Sequence, residues 1–141
     1  MAEGESKEDY LRIIYELGRK QVKATDIAKN LNISKPSVSE MIKKLIKARL
    51  VQAKSYGKIF LTKQGIIEAK KISHRYHTIR KFATNILKHS DDKAHEIAHK
   101  LEHHFSHESV NKLNNFIEEN LPALYKIKEI EKESETPSYI S

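Results

Sequence analysis

A chain of 141 residues has room for one medium-sized domain or two very small ones. It contains no cysteine, which excludes disulfides and means that any metal site must be built from histidine, aspartate and glutamate. A formal net charge of +7 favours a polyanionic partner, and no stretch approaches a membrane span. The polar, acidic N-terminus lacks the basic start and apolar middle of a signal peptide, so we expect a cytoplasmic protein with no membrane partner.

Three short helices are predicted at the start of the chain. Apolar residues at one-turn spacing indicate a helix over 7–17. Thr25 is placed to cap a second helix over 26–31. Ser34 begins the third helix, and Pro36 lies in its first turn, where a missing N–H costs nothing. The short connection between the second and third helices is typical of a helix-turn-helix unit.

A β-hairpin is predicted directly after these helices. The short apolar runs 51–53 and 59–61 flank a polar segment that contains a glycine suited to a turn. A helix-turn-helix followed by a basic hairpin is a winged helix, which would place the third helix in the DNA major groove. Lys54 and Lys58 of the hairpin would then reach the phosphate backbone.

Positive charge is concentrated in this predicted winged helix, because residues 34–63 contain eight lysines and arginines against the single acid Glu40. Short polar side chains can contact base edges, while long cations mostly bind phosphates. The alternative is a lysine-rich, solvated helix in a module that binds protein. The candidate DNA-binding residues are Thr25, Lys35, Pro36, Ser37, Ser39, Glu40, Lys43, Lys44, Lys47, Lys54 and Lys58.

The second half of the chain is predicted to be all-helical. A long helix begins at the cap Thr62 and runs to about Lys88. This helix is longer than is needed to cover the core of a winged-helix domain. Three further helices follow, from Ser90 or Asp91 to about Ser106, from about Glu108 to Glu119, and from Pro122 onwards. The sequence thus predicts a mainly α protein with a winged-helix DNA-binding domain at 1–62. A helical metal-binding and dimerisation domain at 63–141 would follow, with 63–88 as its linking helix.

All eight histidines lie between positions 74 and 107, and their spacing supports two different sites. His95, Glu96 and His99 fit the H-E-x-x-H pattern of zinc peptidases. On a helix, however, His95, His99, Glu102 and His103 share one face, which is a partial shell for a transition metal. Alternatively, this is an exposed polar face whose histidines are incidental.

The peptidase hypothesis meets a structural difficulty. Such an enzyme needs a third ligand, for which Glu118 or Glu119 is at a tolerable distance, and a strand beside the metal that holds the substrate. The only predicted strands form the basic wing, so catalysis is disfavoured and we expect a protein that is not an enzyme.

The opposite side of the histidine helix, with Ala94 and Leu101, can be buried.

Three segments resemble the diphtheria toxin repressor family, in its two-domain branch of manganese transport regulators. They are EDYLRIIYEL at 8–17, RYH at 75–77 and HKLEHHFS at 99–106. The resemblance implies a homodimer that binds a divalent metal as corepressor, then a palindromic operator in double-stranded DNA, and so represses genes of metal-ion uptake and homeostasis. A winged-helix regulator that senses an organic ligand is the alternative.

The same resemblance assigns metal ligands residue by residue. It implies that Asp9, His77, His99, Glu102 and His103 bind the metal, and that His95 belongs to an ancillary site. Fe²⁺ or Mn²⁺ is the expected ion, with Zn²⁺, Co²⁺ or Ni²⁺ as alternatives, since His99 moves the site toward nitrogen ligands.

Two positions depart from the carboxylates that members of this family carry. The resemblance implies a second carboxylate of the manganese branch where Arg12 stands, and a glutamate of both the manganese and the iron branch where Lys81 stands. Two dications about 3.5–4 Å apart are tolerable only when carboxylates bridge them. The two cationic residues therefore predict one principal metal ion per protomer.

Overall fold

The computed structural model describes residues 6–18 and 22–120, and the chain divides into two compact units between Ser73 and His74. The described elements of the first unit are α1 (Lys7–Leu17), β1 (Val22–Lys23), α2 (Ala24–Leu31), α3 (Lys35–Lys47), β2 (Val51–Lys54), a 3-10 turn (Ser55–Gly57), β3 (Lys58–Leu61) and the start of α4 (Lys63–Lys81). Those of the second are the remainder of α4, a π-helical turn (Phe82–Ile86), α5 (Asp91–Leu101), a 3-10 turn (Glu102–His104) and α6 (His107–Asn120). The mainly helical architecture that opens with a winged helix-turn-helix is confirmed.

The helices α1 and α3 begin where the sequence predicts them, because each starts at a serine cap. The Ser6 hydroxyl oxygen accepts from the Asp9 backbone N–H at 3.3 Å, and the Asp9 carboxylate accepts from the Ser6 N–H at 2.9 Å. The Ser34 hydroxyl oxygen likewise accepts from the Ser37 N–H at 3.3 Å. Pro36 lies in the first turn of α3, as expected.

Helix α2 differs from the prediction at its start. It begins at Ala24, with Lys23 at the cap position, so Thr25 is an exposed residue of the first turn rather than the cap. The acid Asp26 performs the capping instead, since its carboxylate accepts the Lys23 backbone N–H at 2.9 Å. Asn32 then ends α2 with a left-handed φ of 54°, a conformation that asparagine tolerates.

The sheet has three strands, in the order β1-β3-β2, where the sequence predicted a two-stranded hairpin. The additional strand, β1, pairs antiparallel with β3 through Val22 opposite Ile59 and Lys23 opposite Lys58. Two residues are too few to show an alternating pattern, so no sequence signal indicated this strand.

One apolar core holds the first unit together, and α4 contributes Ala69 and Ile72 to it. Residues Val38 and Leu45 of α3 are fully buried in this core. Burying a side chain of that size stabilises a fold by about 1.5–3 kcal/mol. These anchors fix which face of α3 remains exposed.

The second unit has a smaller core of Tyr76, Ile79 and Ala98, against which Ile97, Phe105 and Leu113 pack. At the end of α4 the helix widens, because the Leu87 N–H donates to the Phe82 carbonyl at 3.1 Å. No helix among the described residues has the length and apolar character needed to cross a bilayer.

The helix predicted to reach Ser106 ends at Leu101 instead, and a 3-10 turn follows. Leu101, the last residue of α5, is exposed rather than buried with Ala94. The helix predicted from Pro122 lies outside the described residues.

Candidate functional site

An exposed polar face of α3, called here the recognition face, is the first candidate site. It carries short polar groups near the start of the helix and lysines further along. Among them, Ser37 is held by a hydrogen bond from the Ser34 hydroxyl at 2.9 Å. The recognition face comprises Lys35, Pro36, Ser37, Ser39, Glu40, Lys43, Lys44 and Lys47, all of them exposed.

The wing, which is the β2–β3 hairpin of the first unit, carries two lysines near its turn. Lys54 lies directly opposite Lys58 in the β2–β3 pairing, and Gly57 supports the turn with a positive φ of 72°. Like charges directly opposite each other destabilise a sheet, so this pair suits a polyanion that neutralises both. The Lys54 ammonium also lies 5.2 Å from the Phe60 ring centroid.

In the second unit, a carboxylate and an imidazole form the centre of the second candidate site. Glu102 Oε2 lies 3.2 Å from His103 Nε2, and Glu102 Oε1 lies 3.5 Å from Arg75 Nη2. Glu102 is only 1% exposed, which does not fit the alternative of an exposed polar face whose histidines are incidental. The Glu102 N–H still donates to the Ala98 carbonyl, so Glu102 keeps the helical position that α5 gives it.

The spacing of these two groups fits metal binding. Nitrogen and oxygen ligands at about 2.0–2.2 Å from one ion are about 3.0–3.5 Å apart in tetrahedral or octahedral geometry. The 3.2 Å between Glu102 Oε2 and His103 Nε2 falls in that range. A mixed nitrogen and oxygen donor set suits divalent transition metals.

Two further imidazoles continue from His103 along α5. The ring centroids of His99 and His103 are 6.3 Å apart, and those of His95 and His99 are 6.0 Å apart. The hydroxyl of the buried Tyr76 shares a hydrogen bond with His95 Nδ1. A contact of this kind fixes the orientation and tautomer of an imidazole and thereby its capacity to bind metal.

The other two predicted ligands, His77 and Asp9, lie on α4 and α1. His77 is an exposed residue of α4 whose ring centroid is 5.0 Å from that of Tyr76. Asp9, in the first unit, is 2% exposed and serves the capping box of α1. Its Oδ2 also accepts from the Ser6 hydroxyl at 2.8 Å.

Arg75 and Tyr76 are contacts of the site that the sequence did not indicate. The Arg75–Glu102 contact joins residues 27 positions apart, and the Tyr76–His95 contact joins residues 19 apart. Neither follows from helical periodicity, because each bridges two different elements. The RYH segment was singled out for its resemblance and not for these contacts.

Glu96, which the H-E-x-x-H pattern would use as its general base, lies on the exposed surface between two lysines. Its carboxylate is 3.0 Å from Lys100 Nζ and 3.6 Å from Lys93 Nζ. The hydrogen bond and charge of Lys100, followed by the charge of Lys93, lower the pKa of Glu96 below its usual range. A lower pKa makes the carboxylate a weaker general base.

Two family profiles match the chain in succession. The profile of the iron dependent repressor N-terminal DNA binding domain matches residues 4–59. The profile of the iron dependent repressor metal binding and dimerisation domain matches residues 62–120.

Individual relatives agree with these profiles. An uncharacterized HTH-type transcriptional regulator of Methanocaldococcus jannaschii is 40% identical over 117 residues, which cover 81% of this chain and 94% of the relative. The HTH-type transcriptional regulator MntR of Shouchella clausii is 27% identical over 137 residues, covering 94% and 95%.

Solved structures show the same fold. The manganese regulator SloR matches with a TM-score of 0.74 and 38% identity over 82% of this chain, and IdeR of T. acidophilum with 0.72 and 27% over 83%. The match spans about half of each solved chain, 54% and 55% respectively. The two profiles place the DNA binding domain before the metal binding and dimerisation domain along the chain. The chain therefore belongs to the iron-dependent repressor family of metal-dependent transcriptional regulators.

Proposed function

We propose that this chain is a homodimeric repressor of metal-ion uptake and homeostasis genes, with a divalent transition metal as its corepressor. The observation that carries the proposal is the buried Glu102 carboxylate, 3.2 Å from His103 Nε2, at the end of a row of imidazoles. A buried carboxylate is costly unless cations compensate it, and a bound dication supplies that compensation.

The proposed ligands differ in what supports them. Glu102, His103 and His99 are supported by their neighbouring positions in the second unit. His77 and Asp9 enter from the family resemblance, and His95 is proposed for an ancillary site. The nitrogen-rich set suits Fe²⁺, Co²⁺, Ni²⁺ or Zn²⁺ by ligand preference. Mn²⁺ remains in the proposal beside Fe²⁺ because SloR is named a manganese regulator.

The DNA proposal assigns the winged helix at 1–62 to a palindromic operator. The recognition face would enter the major groove, and Thr25, Lys54 and Lys58 would contact phosphates. A two-fold dimer through the 63–141 domain, with 63–88 as its linking helix, would present two copies of α3 about 34 Å apart. The exposed apolar side chains Leu87, Leu101 and Phe116 of that domain support such an interface.

Two alternative functions receive less support. A zinc peptidase would use Glu96 as its base, but two lysines engage that carboxylate, and the strands in the described part of the chain all belong to the wing sheet. We therefore propose a cytoplasmic regulator that is not an enzyme. A winged-helix regulator of an organic ligand would leave the Glu102–His103 pair without a function.

We predict that each chain binds one Mn²⁺, Fe²⁺ or Co²⁺ ion tightly in anaerobic equilibrium dialysis of untagged protein. Arg12, which pairs with Glu16 at 3.3 Å, and Lys81 carry positive charge where family members carry carboxylates, and this disfavours a second dication. The single change Lys81→Glu should add a second, weaker ion. An absence of metal uptake would favour the organic-ligand alternative, and two equally tight ions in the parent would contradict the stoichiometry.

A further inference from the structure

We propose that Arg75 is a positioning residue that holds Glu102 Oε1 and thereby presents Glu102 Oε2, beside His103, as the one oxygen available to the metal. The inference rests on the proposed metal site. It adds a residue that selects how the carboxylate binds, and through that which ions the site prefers.

The geometry divides the two oxygens of Glu102 between two neighbours. Oε1 is 3.5 Å from Arg75 Nη2, and Oε2 is 3.2 Å from His103 Nε2. All three residues belong to the second unit, and the Arg75 side chain is itself only 16% exposed. The carboxylate is thus held from α4 on one side and from its own 3-10 turn on the other.

The chemistry of carboxylate ligands gives this division a consequence. A carboxylate can bind an ion through one oxygen or through both, and large ions with high coordination numbers use both. The Arg75 guanidinium on Oε1 opposes binding through both oxygens. In that mode Arg75 would lose its contact with Oε1, and its positive charge would lie close to the dication. Compact ions that accept a single oxygen are therefore favoured at Glu102.

Arg75 also has a role before metal arrives. Its charge compensates the buried Glu102 carboxylate, which would otherwise be costly to hold in the interior. Partners that hold a ligand in position typically raise metal affinity about 10–100-fold. If Arg75 only stabilised the fold, replacing it would lower the melting temperature and leave the binding of the metal unchanged. A positioning role predicts, in addition, a change in the visible absorption spectrum of the bound ion.

The test compares Arg75→Gln with the parent and with Arg80→Gln, a matched control on the same helix. Co²⁺ is titrated anaerobically, and the visible absorption of the bound ion reports its coordination number. We expect Arg75→Gln to bind Co²⁺ about 10–100-fold more weakly. Its absorption per bound ion should weaken as the coordination number rises, and its relative preference for the larger Cd²⁺ over Co²⁺ should increase. Arg80→Gln should match the parent.

The second measurement is the melting temperature of the metal-free proteins, which reports the stability of the fold. The second variant is Arg75→Lys, which is tested in case Arg75→Gln does not fold. The lysine keeps the charge and the melting temperature but loses the planar fork, so a smaller spectral change is expected. A lower melting temperature with an unchanged Co²⁺ spectrum and affinity in both variants would overturn the inference alone. A parent protein that takes up no Co²⁺ would overturn the proposed metal site and this inference together.

Discussion

Changing Glu102 and His103 together to glutamine is expected to weaken metal binding by at least about 100-fold and to remove the response of DNA binding to metal. The two changes remove an oxygen ligand and a nitrogen ligand that lie 3.2 Å apart. Glutamine is preferable to alanine at position 102, because the side chain is buried and alanine would leave a cavity.

Isothermal titration with Mn²⁺ and Co²⁺ measures this loss, and circular dichroism checks that the helices remain. The matched control is Glu108→Gln with His104→Gln, which changes the same residue types at exposed positions. The control should bind metal as the parent does. Parental metal affinity in the Glu102 and His103 variant would show that the ligand assignment is wrong.

The largest expected effect on DNA binding comes from Lys43→Ala combined with Lys47→Ala. These exposed lysines are one turn apart on the recognition face and are expected to contact phosphates. Each phosphate contact releases counterions, so losing two should weaken binding about 30-fold at 0.15 M salt. The slope of log affinity against log salt should fall by about two.

Fluorescence anisotropy of a labelled duplex over a salt series measures both quantities. The control variant, Lys70→Ala with Lys71→Ala, removes the same charge from exposed positions of α4 in the same unit. It should retain the parental slope. An equal loss in both variants would mean that net charge, and not the recognition face, determines DNA affinity.

The parts of the fold that were predictable have strong local signals. In α3, the Ser34 cap, the proline in the first turn and the buried stripe all agree, and the structure confirms the helix at Lys35–Lys47. Strand β1 was missed because it has only two residues and is defined by pairing with the distant β3. The early start of α2 was missed because Asp26 caps it from inside the helix.

The candidate metal site was only partly predictable, for a related reason. Helical spacing identified a face shared by His95 and His99, which both lie on α5. The same spacing placed Glu102 and His103 beside that face, but it did not show that the Glu102 carboxylate is buried. The contacts of Arg75 and Tyr76 depend on how α4 packs with the second unit, which periodicity within one helix does not describe.

Metal binding and DNA binding are proposed for different domains, so the function depends on coupling between them. A metal that raises operator affinity by some factor must have its own affinity raised by the operator by the same factor. Such coupling factors are typically about 5–150-fold. Binding to unrelated DNA should instead follow salt concentration alone.

The most direct measurement is therefore the affinity of the protein for its operator with divalent metal and with a chelator, at one fixed salt concentration. The operator can be selected from a random duplex pool in the presence of Mn²⁺ or Fe²⁺, and a scrambled duplex serves as the control. We predict that metal tightens operator binding by at least about tenfold and leaves the scrambled duplex unchanged. Equal operator affinity with metal and with chelator would contradict a metal-dependent repressor.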